Sequence, residues 1–292
     1  MACKVSAGVV LYNPDDITYQ NIISYASYVD TLIIVDNSTI YNDTLIEKLK
    51  KNFSHLIYIN NNGNLGIATA LNIACKKAID LGSEWILTMD QDSHFFNFRS
   101  YLECLDSLQN TDNIALLAAN TVWHPTEKMI QSFNCENEER TLVITSANLL
   151  NLSLFNKIGG FEDKLFIDMV DHDYCMKILQ KKYKILFFKN IIVKHEIGNF
   201  FQRKNLITRK IRNKIEHHPQ RTYYIARNML YLSKQYSKLS PKEYSFLRTL
   251  NILFIHDVTK VLLYEDMKLA KLSAKIIALY HFIIGKYGKY DL

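Results

Sequence analysis

"EWILTMDQDSHFF", Glu84 to Phe96, is an apolar run that stops at two aspartates, Asp90 and Asp92. A run of this kind reads as a buried strand, but aspartate is also a common turn residue, and a chain of this size holds about one Asp-x-Asp by accident. The motif takes its meaning from what surrounds it.

The surroundings repeat one plan. Predicted strands at Val5–Tyr12, Thr31–Asp36, Leu56–Asn60 and Glu84–Met89 alternate with predicted helices at Ile17–Ser27, Thr44–Lys51, Gly66–Leu81 and Phe98–Gln109. This alternation specifies an α/β fold, a sheet flanked by helices. Three of the strands end in polar tips: "YNP" at Tyr12 to Pro14, "DNST" at Asp36 to Thr39, and "DQD" at Asp90 to Asp92. Ligands of open α/β sheets sit outside the carboxyl ends of the strands, so these tips are where a ligand belongs.

From Ile114 to Asn151 the pattern changes to shorter strand-like pieces, "LVITSANLLN" among them, with little helix. A helix is expected to start near Val170 or Asp171, followed by strands "KILFF" and "IIVKH". Beyond His195 only helices are expected, with basic and aromatic residues interleaved. A boundary near residue 200 divides the chain into an α/β domain, 1–200, and a basic helical region, 201–292.

The chain has 292 residues, 48% hydrophobic and 22% charged, which excludes disordered and fibrous classes. Its five cysteines are scattered without metal-finger spacing or an obvious disulfide framework, which points to a reducing compartment. The opening "MACKVSAGVVLYNP" lacks the blocks of a signal peptide, so a cytoplasmic protein is expected. Charge is divided unevenly: residues 1–200 hold 17 Lys and Arg against 23 Asp and Glu, and residues 201–292 hold 18 against 6. Two readings of the basic third stand side by side: solvated helix faces, or attraction to an anionic surface.

Four motifs carry candidate chemistry. "NNNGNLGIATALNIA", Asn60 to Ala74, has neither a G-x-G-x-x-G nor a Walker lysine, so Gly63 and Gly66 are read as turn residues and Asn72 as a buried polar contact. "FIDMVDHDYCMKIL", Phe166 to Leu179, packs Asp168, Asp171 and Asp173 into a helix entrance, more acid than dipole capping needs, and a carboxylate there suits general-base work. "VKHEIGN" sets His195 at a strand end; if "DQD" holds a divalent ion, that imidazole is a suitable third ligand. In "HHPQRTYYIARNMLYL", Arg221, Tyr224, Arg227 and Asn228 share one helical face.

The series "VVLYNP", "VDNS", "NNGNLGIATALNIA", "LTMDQDS", "TSANLL", "GGFEDKLFIDMVDHDYC" and "VKHEIG" resembles the family 2 glycosyltransferases of the GT-A fold, most of all bacterial rhamnosyltransferases, over about residues 4 to 230. The resemblance implies a Rossmann-like mixed sheet with a C-terminal helical extension. It implies Asp92 as ligand of Mn²⁺ or Mg²⁺, with Asp90 on ribose or metal and His195 as a further ligand. It places Asp36, Tyr12, Asn13 and Asn72 around the donor nucleotide, with Arg227 near the diphosphate, and Asp171 as catalytic base. Val170 stands where the family usually has Glu, which leaves Asp168 as a rival base.

The activity so implied is inverting transfer of L-rhamnose from dTDP-rhamnose, a nucleoside-diphosphate sugar donor, to a surface-polysaccharide or lipid-linked glycan acceptor. Transfer of galactofuranose or another hexose from a UDP donor is a near alternative, and a sugar nucleotidyltransferase a rival enzyme class. A basic adaptor binding membrane or nucleic acid is the rival outside enzymes; the transferase reading expects no nucleic-acid partner. Under it, residues 201–292 either dock peripherally on the anionic inner face of the plasma membrane or pack in a homodimer.

Overall fold

The computed structural model describes residues 3–131, 133–195, 200–204, 209 and 211–290. The chain divides into two compact units, Met1–Glu162 with Asp171–Glu196, and Asp163–Val170 with Ile197–Leu292. The second unit thus borrows an eight-residue stretch from inside the first, a discontinuity that hydropathy does not register.

The first unit is built on a mixed sheet. Strands β1 (Val5–Leu11), β2 (Thr31–Asp36), β3 (Leu56–Asn60) and β4 (Trp85–Asp90) alternate with helices α1 (Ile17–Ala26), α2 (Asp43–Asn52) and α3 (Ile67–Asp80). They lie parallel in the order β3-β2-β1-β4. Every residue of β1 is buried, as a central strand covered on both faces requires. Gly8 is needed there, because a Cβ would come within 2.9 Å of the Ala74 Cβ of α3. Gly66, with φ of 89°, makes the left-handed entry to α3 that other residues resist.

Beyond β4 the sheet changes direction. Strand β5 (Ser93–Phe95) is followed by α4 (Phe98–Asp106), β6 (Ile114–Val122), α5 (Glu127–Gln131), β7 (Asn137–Glu139), β8 (Asn148–Asn151), α6 (Leu152–Ile158), α7 (Val170–Gln180) and β9 (Lys184–His195). Strand β8 inserts antiparallel between β4 and β6, β9 runs parallel to β6, and β5 and β7 pair antiparallel with β9. The "KILFF" and "IIVKH" runs are one strand rather than two. Its pairing with β6 skips between Phe188 and Ile192, and the Asn120 side chain donates to the exposed carbonyl of Lys189 at the bulge.

The core of this unit joins β1, β2, β4 and α1 to an aromatic group, Tyr25, Phe95, Phe98, Tyr101 and Phe188, in edge and stacked contacts. Cys104 of α4 is bonded to Cys135, a disulfide the scattered cysteine spacing did not anticipate. The pairing depends on α4 folding over the segment after α5, 31 residues on in sequence.

The second unit corrects the expectation of helices alone after His195. Strands β10 (Phe200–Lys204) and β11 (Ile211–Ile215) form an antiparallel hairpin before α8 (Pro219–Tyr236), α9 (Pro241–Tyr244), α10 (Phe246–Asn251), α11 (Asp257–Tyr264) and α12 (Lys268–Ile284), with a π-helical turn, Ile252–His256, joining α10 to α11. In "IRNKI" only Ile211 and Ile215 are apolar, so the run carries no period-two signal, and pairing with Phe200–Lys204 makes it a strand. Residues 205–208 and 210 of "FFQRKNLITRKIRNK", offered as part of an interfacial helix, lie outside the described residues, as do 196–199 of "VKHEIGN". Among the described residues no helix is long and apolar enough to cross a membrane.

Candidate active site

The opening motif is a strand tip flanked by a tight reversal. Residues β4 delivers, Asp90 and Asp92, are followed at once by β5, whose Ser93 stands opposite His195 in the β5–β9 register. Ligand atoms of Asp90, Asp92 and His195 all lie within 4.8 Å of one another. His195, 102 residues downstream of Ser93, reaches the motif because β9 is long enough to pair with β6 along one edge and with β5 on the other.

A relay of hydroxyls holds this cluster. The Asp90 amide donates to Ser146 Oγ at 3.1 Å, Ser146 Oγ donates to Ser93 Oγ at 2.7 Å, and Ser93 Oγ stands 2.8 Å from His195 Nδ1. The Ser93 hydroxyl against Nδ1 fixes the orientation of the ring and leaves Nε2 on its other side. Asp92 Oδ1 lies 3.3 Å from Nδ1, yet it is a buried oxygen without a hydrogen-bond partner among the described residues. An orphaned carboxylate oxygen beside a second carboxylate and an imidazole is a donor set that fits Mn²⁺ or Mg²⁺.

The middle residue of the motif serves structure. Gln91 Oε1 accepts from the Tyr12 amide at 2.8 Å and its Nε2 donates to the Tyr12 carbonyl at 3.2 Å, while its own carbonyl accepts from Asn21. The β1 and β4 tips are thereby locked side by side, with the Tyr12 ring 48% exposed at that edge. Asn13, at φ 47°, accepts from the Thr39 and Ile40 amides at 3.2 Å and donates its own amide to Ser38 Oγ, bracing the neighbouring β2 tip.

Asp36, at the end of β2, is fully buried and takes hydrogen bonds from the Ser38 amide and the Tyr58 hydroxyl, both at 2.8 Å. Burial, and then this bond to the Asp36 carboxylate, push the Tyr58 hydroxyl well above its usual titration range, so it remains a donor. Asn72 is tied down: its Nδ2 donates to the Phe161 carbonyl and its Oδ1 accepts the Phe161 amide, each at 2.9 Å. That amide braces α3 against the Gly160 turn.

The three aspartates before and within α7 part company. Asp168 pairs with Arg221 at 3.0 Å in the second unit. Asp173, fully buried, pairs with Lys177 at 2.8 Å. Asp171 makes no ion pair among the described residues; its Oδ1 accepts the His172 amide at 2.8 Å. The Cys175 thiol one turn further on is pushed up to about 12 by burial and stays protonated. Of the three, Asp171 is the one without an ion pair among the described residues.

Arg227 departs from its expected role. It is wholly buried in α8, and its five N–H groups donate to Asn228 Oδ1, the Tyr223 hydroxyl and the carbonyls of Gly288, Lys164 and Leu165. A guanidinium has five donors, so none is left for a diphosphate. Asn228 adds bonds to the carbonyls of Leu165, Ile167 and Asp168. Together they grip a loop in which Phe166, Asp168 and Met169 all take positive φ. Sequence reasoning missed Ser93, Ser146, Gln91 and Tyr58 at the sheet edge; the serines stood in the quoted "DQDS" and "TSAN" motifs, whereas Gln91 and Tyr58 act through tertiary contacts alone.

The fold is that of the GT-A glycosyltransferases. Among solved structures the chain is similar to S. aureus TarS 1-349 in complex with UDP-GlcNAc (TM-score 0.58, 17% identity, 97% of this chain and 81% of that one) and to the mannosyltransferase PcManGT from Pyrobaculum calidifontis in complex with GDP-Man and Mn²⁺ (0.57, 13%, 96% and 76%). It is also similar to GalNAc-T7 with UDP, GalNAc and Mn²⁺ (0.56, 14%), where it covers 89% of its own length and spans 58% of the other chain. Residues 9–122 match the model of glycosyl transferase family 2. Over 252 residues, 80% of this chain and 81% of the relative, it is 26% identical to the dTDP-rhamnosyl transferase RfbF of Shigella flexneri.

Proposed function

We propose that this glycosyltransferase is an inverting, metal-dependent rhamnosyltransferase that moves L-rhamnose from dTDP-rhamnose to a surface-polysaccharide or lipid-linked glycan acceptor. The observation that carries the metal dependence is the buried Asp92 Oδ1, without a hydrogen bond among the described residues, between Asp90 and His195. The donor rests on the similarity to a dTDP-rhamnosyl transferase across four fifths of both chains. Asp92, His195 and Asp90 would hold Mn²⁺ or Mg²⁺, which when bound supplies Lewis-acid stabilisation of the charge that develops on the leaving diphosphate.

The chain's own residues do the rest. Asp36, preorganised by Tyr58 and Ser38, accepts from the nucleobase, with the Tyr12 ring and Asn13 beside it. Asp171 takes the proton of the acceptor hydroxyl as that oxygen attacks the anomeric carbon, and the bond to the diphosphate breaks on the opposite face, which inverts the configuration. Asn72 contributes by holding α3 in place, and Arg227 by holding the loop that runs into Asp171, rather than by touching the donor.

The test is a panel of thymidine- and uridine-diphosphate sugars, scored for Mn²⁺-dependent hydrolysis and thermal stabilisation, with Asp92→Ala alongside. The reading expects thymidine-diphosphate rhamnose to lead and Asp92→Ala to abolish both signals. Turnover unchanged in chelator rules out the metal role, and preference for a uridine-diphosphate hexose transfers the assignment to that donor class.

A further inference from the structure

Helix α12 buries charge and leaves a second apolar face to solvent. A helix on the surface of a water-soluble domain turns its apolar stripe inward and its charges outward. Here Lys271 and Lys275 are buried, at 1% and 3% exposure, beside the apolar Ala274 and Ala278, and a second set of apolar residues faces out. Lys271 pairs with Glu216 and with Glu265 at 2.9 Å, and Lys275 pairs with Asp257 at 3.2 Å. His281 is likewise inside, bonded through Nδ1 to the Tyr223 hydroxyl at 2.8 Å. The opposite side shows Leu269, Ile276 and Ile283 at 82%, 66% and 70% exposure, flanked by Tyr280 and Ile284.

The exposed side chains fall into register. Leu269, Ile276 and Ile283 recur every seven residues, and the half-buried Leu272 and Leu279 stand three residues after the first two, Leu279 also packing against the core of its own unit. This is the a-d-a-d-a spacing of a coiled-coil seam. Nine residues of this outer arc, from Leu269 to Ile284, include no charged side chain, so two such arcs meeting face to face bring no like charges together. A self-complementary patch of this kind is what a two-fold interface requires.

We infer that the outer face of α12 is a homodimerisation surface, its occupant the α12 of a second copy. With a fully exposed large side chain carrying on the order of 180 Å², the five exposed residues offer on the order of 600 Å² per copy, about 1,200 Å² for a pair, which reaches the range of specific interfaces. Two of the three lysines of this helix, Lys271 and Lys275, are spent on internal ion pairs, and Lys268 donates to the Leu262 carbonyl. The uncharged arc supplies no electrostatic contact to lipid headgroups.

Sedimentation velocity on the full chain, from about 1 to 100 µM, decides the matter. The wild type is expected to dimerise, and Ile276→Lys, which sets two ammonium groups into the seam, to raise the dissociation constant about 100-fold or more. Leu269→Lys is a second variant at the most exposed position, and Lys289→Glu, off the helix, should dimerise as the wild type does. A wild type that stays monomeric throughout, or a dimer that survives both lysine variants, overturns the inference. So does a monomer that binds neutral or anionic vesicles through Ile276, which would assign the face to a membrane.

Discussion

Replacing Arg227 by alanine separates a structural arginine from a ligand-binding one. The side chain is fully buried and satisfies five acceptors, and its removal affects them unequally. Lys164 O keeps a bond from the Gly288 amide, Leu165 O keeps one from Asn228, and the Tyr223 hydroxyl keeps His281. Each of those three loses a net bond worth about 0.5–1.5 kcal/mol. Gly288 O and Asn228 Oδ1 lose the bonds Arg227 supplied, at about 1–3 kcal/mol each when left buried. The gross loss is about 4–10 kcal/mol, offset by several kcal/mol because a guanidinium no longer has to be desolvated. A net destabilisation of about 3–5 kcal/mol is expected, with Arg227→Lys in between because an ammonium has three donors and no planar fork. Amide hydrogen exchange reads the effect locally: residues 164–168 and α8 should exchange about 10² to 10³·⁵ times faster. Exchange altered less than about fivefold, together with a tenfold loss of thymidine-diphosphate affinity, would refute the structural role and restore the diphosphate contact.

Asp171→Asn should leave donor binding intact and cut turnover by about 10²-fold or more, whereas Asp168→Asn, removing only the half-exposed pair with Arg221, should change turnover little; the reverse pattern would reassign the base. Ser93→Ala removes the hydroxyl that orients His195, and isothermal titration should find Mn²⁺ affinity lowered about 10- to 100-fold with the fold unchanged. Burial holds His94, His217 and His281 below the ordinary histidine range, so the unfolded chain binds protons more readily than the folded one. Stability is therefore full above the unfolded value of about 6.5 and falls as pH drops through it. Thermal midpoints from pH 7.5 to 5.5 should show this decline, shallower in His281→Asn.

Local pattern determined much of this protein. Buried apolar runs ending in polar tips, alternating with amphipathic helices, specify the parallel half of the sheet, because side-chain period and burial are written into neighbouring residues. For the same reason Asp36 and Asp90 are legible as strand ends, with Asp92 in the turn just beyond. Tertiary structure decided what depends on distant partners. His195 joins Asp92 through the β5–β9 pairing across 102 residues, and no window of sequence spans that distance. Arg227 shows the converse: an arginine on a helix face is equally suited to a phosphate or to carbonyls, and the carbonyls of Lys164, Leu165 and Gly288 claimed it. The basic run of α12 suits an outward electrostatic face by sequence, but Glu216, Glu265 and Asp257, brought in from other segments, draw Lys271 and Lys275 inside. A charge faces water or a partner according to what folding places beside it, and that is a property of the assembled chain.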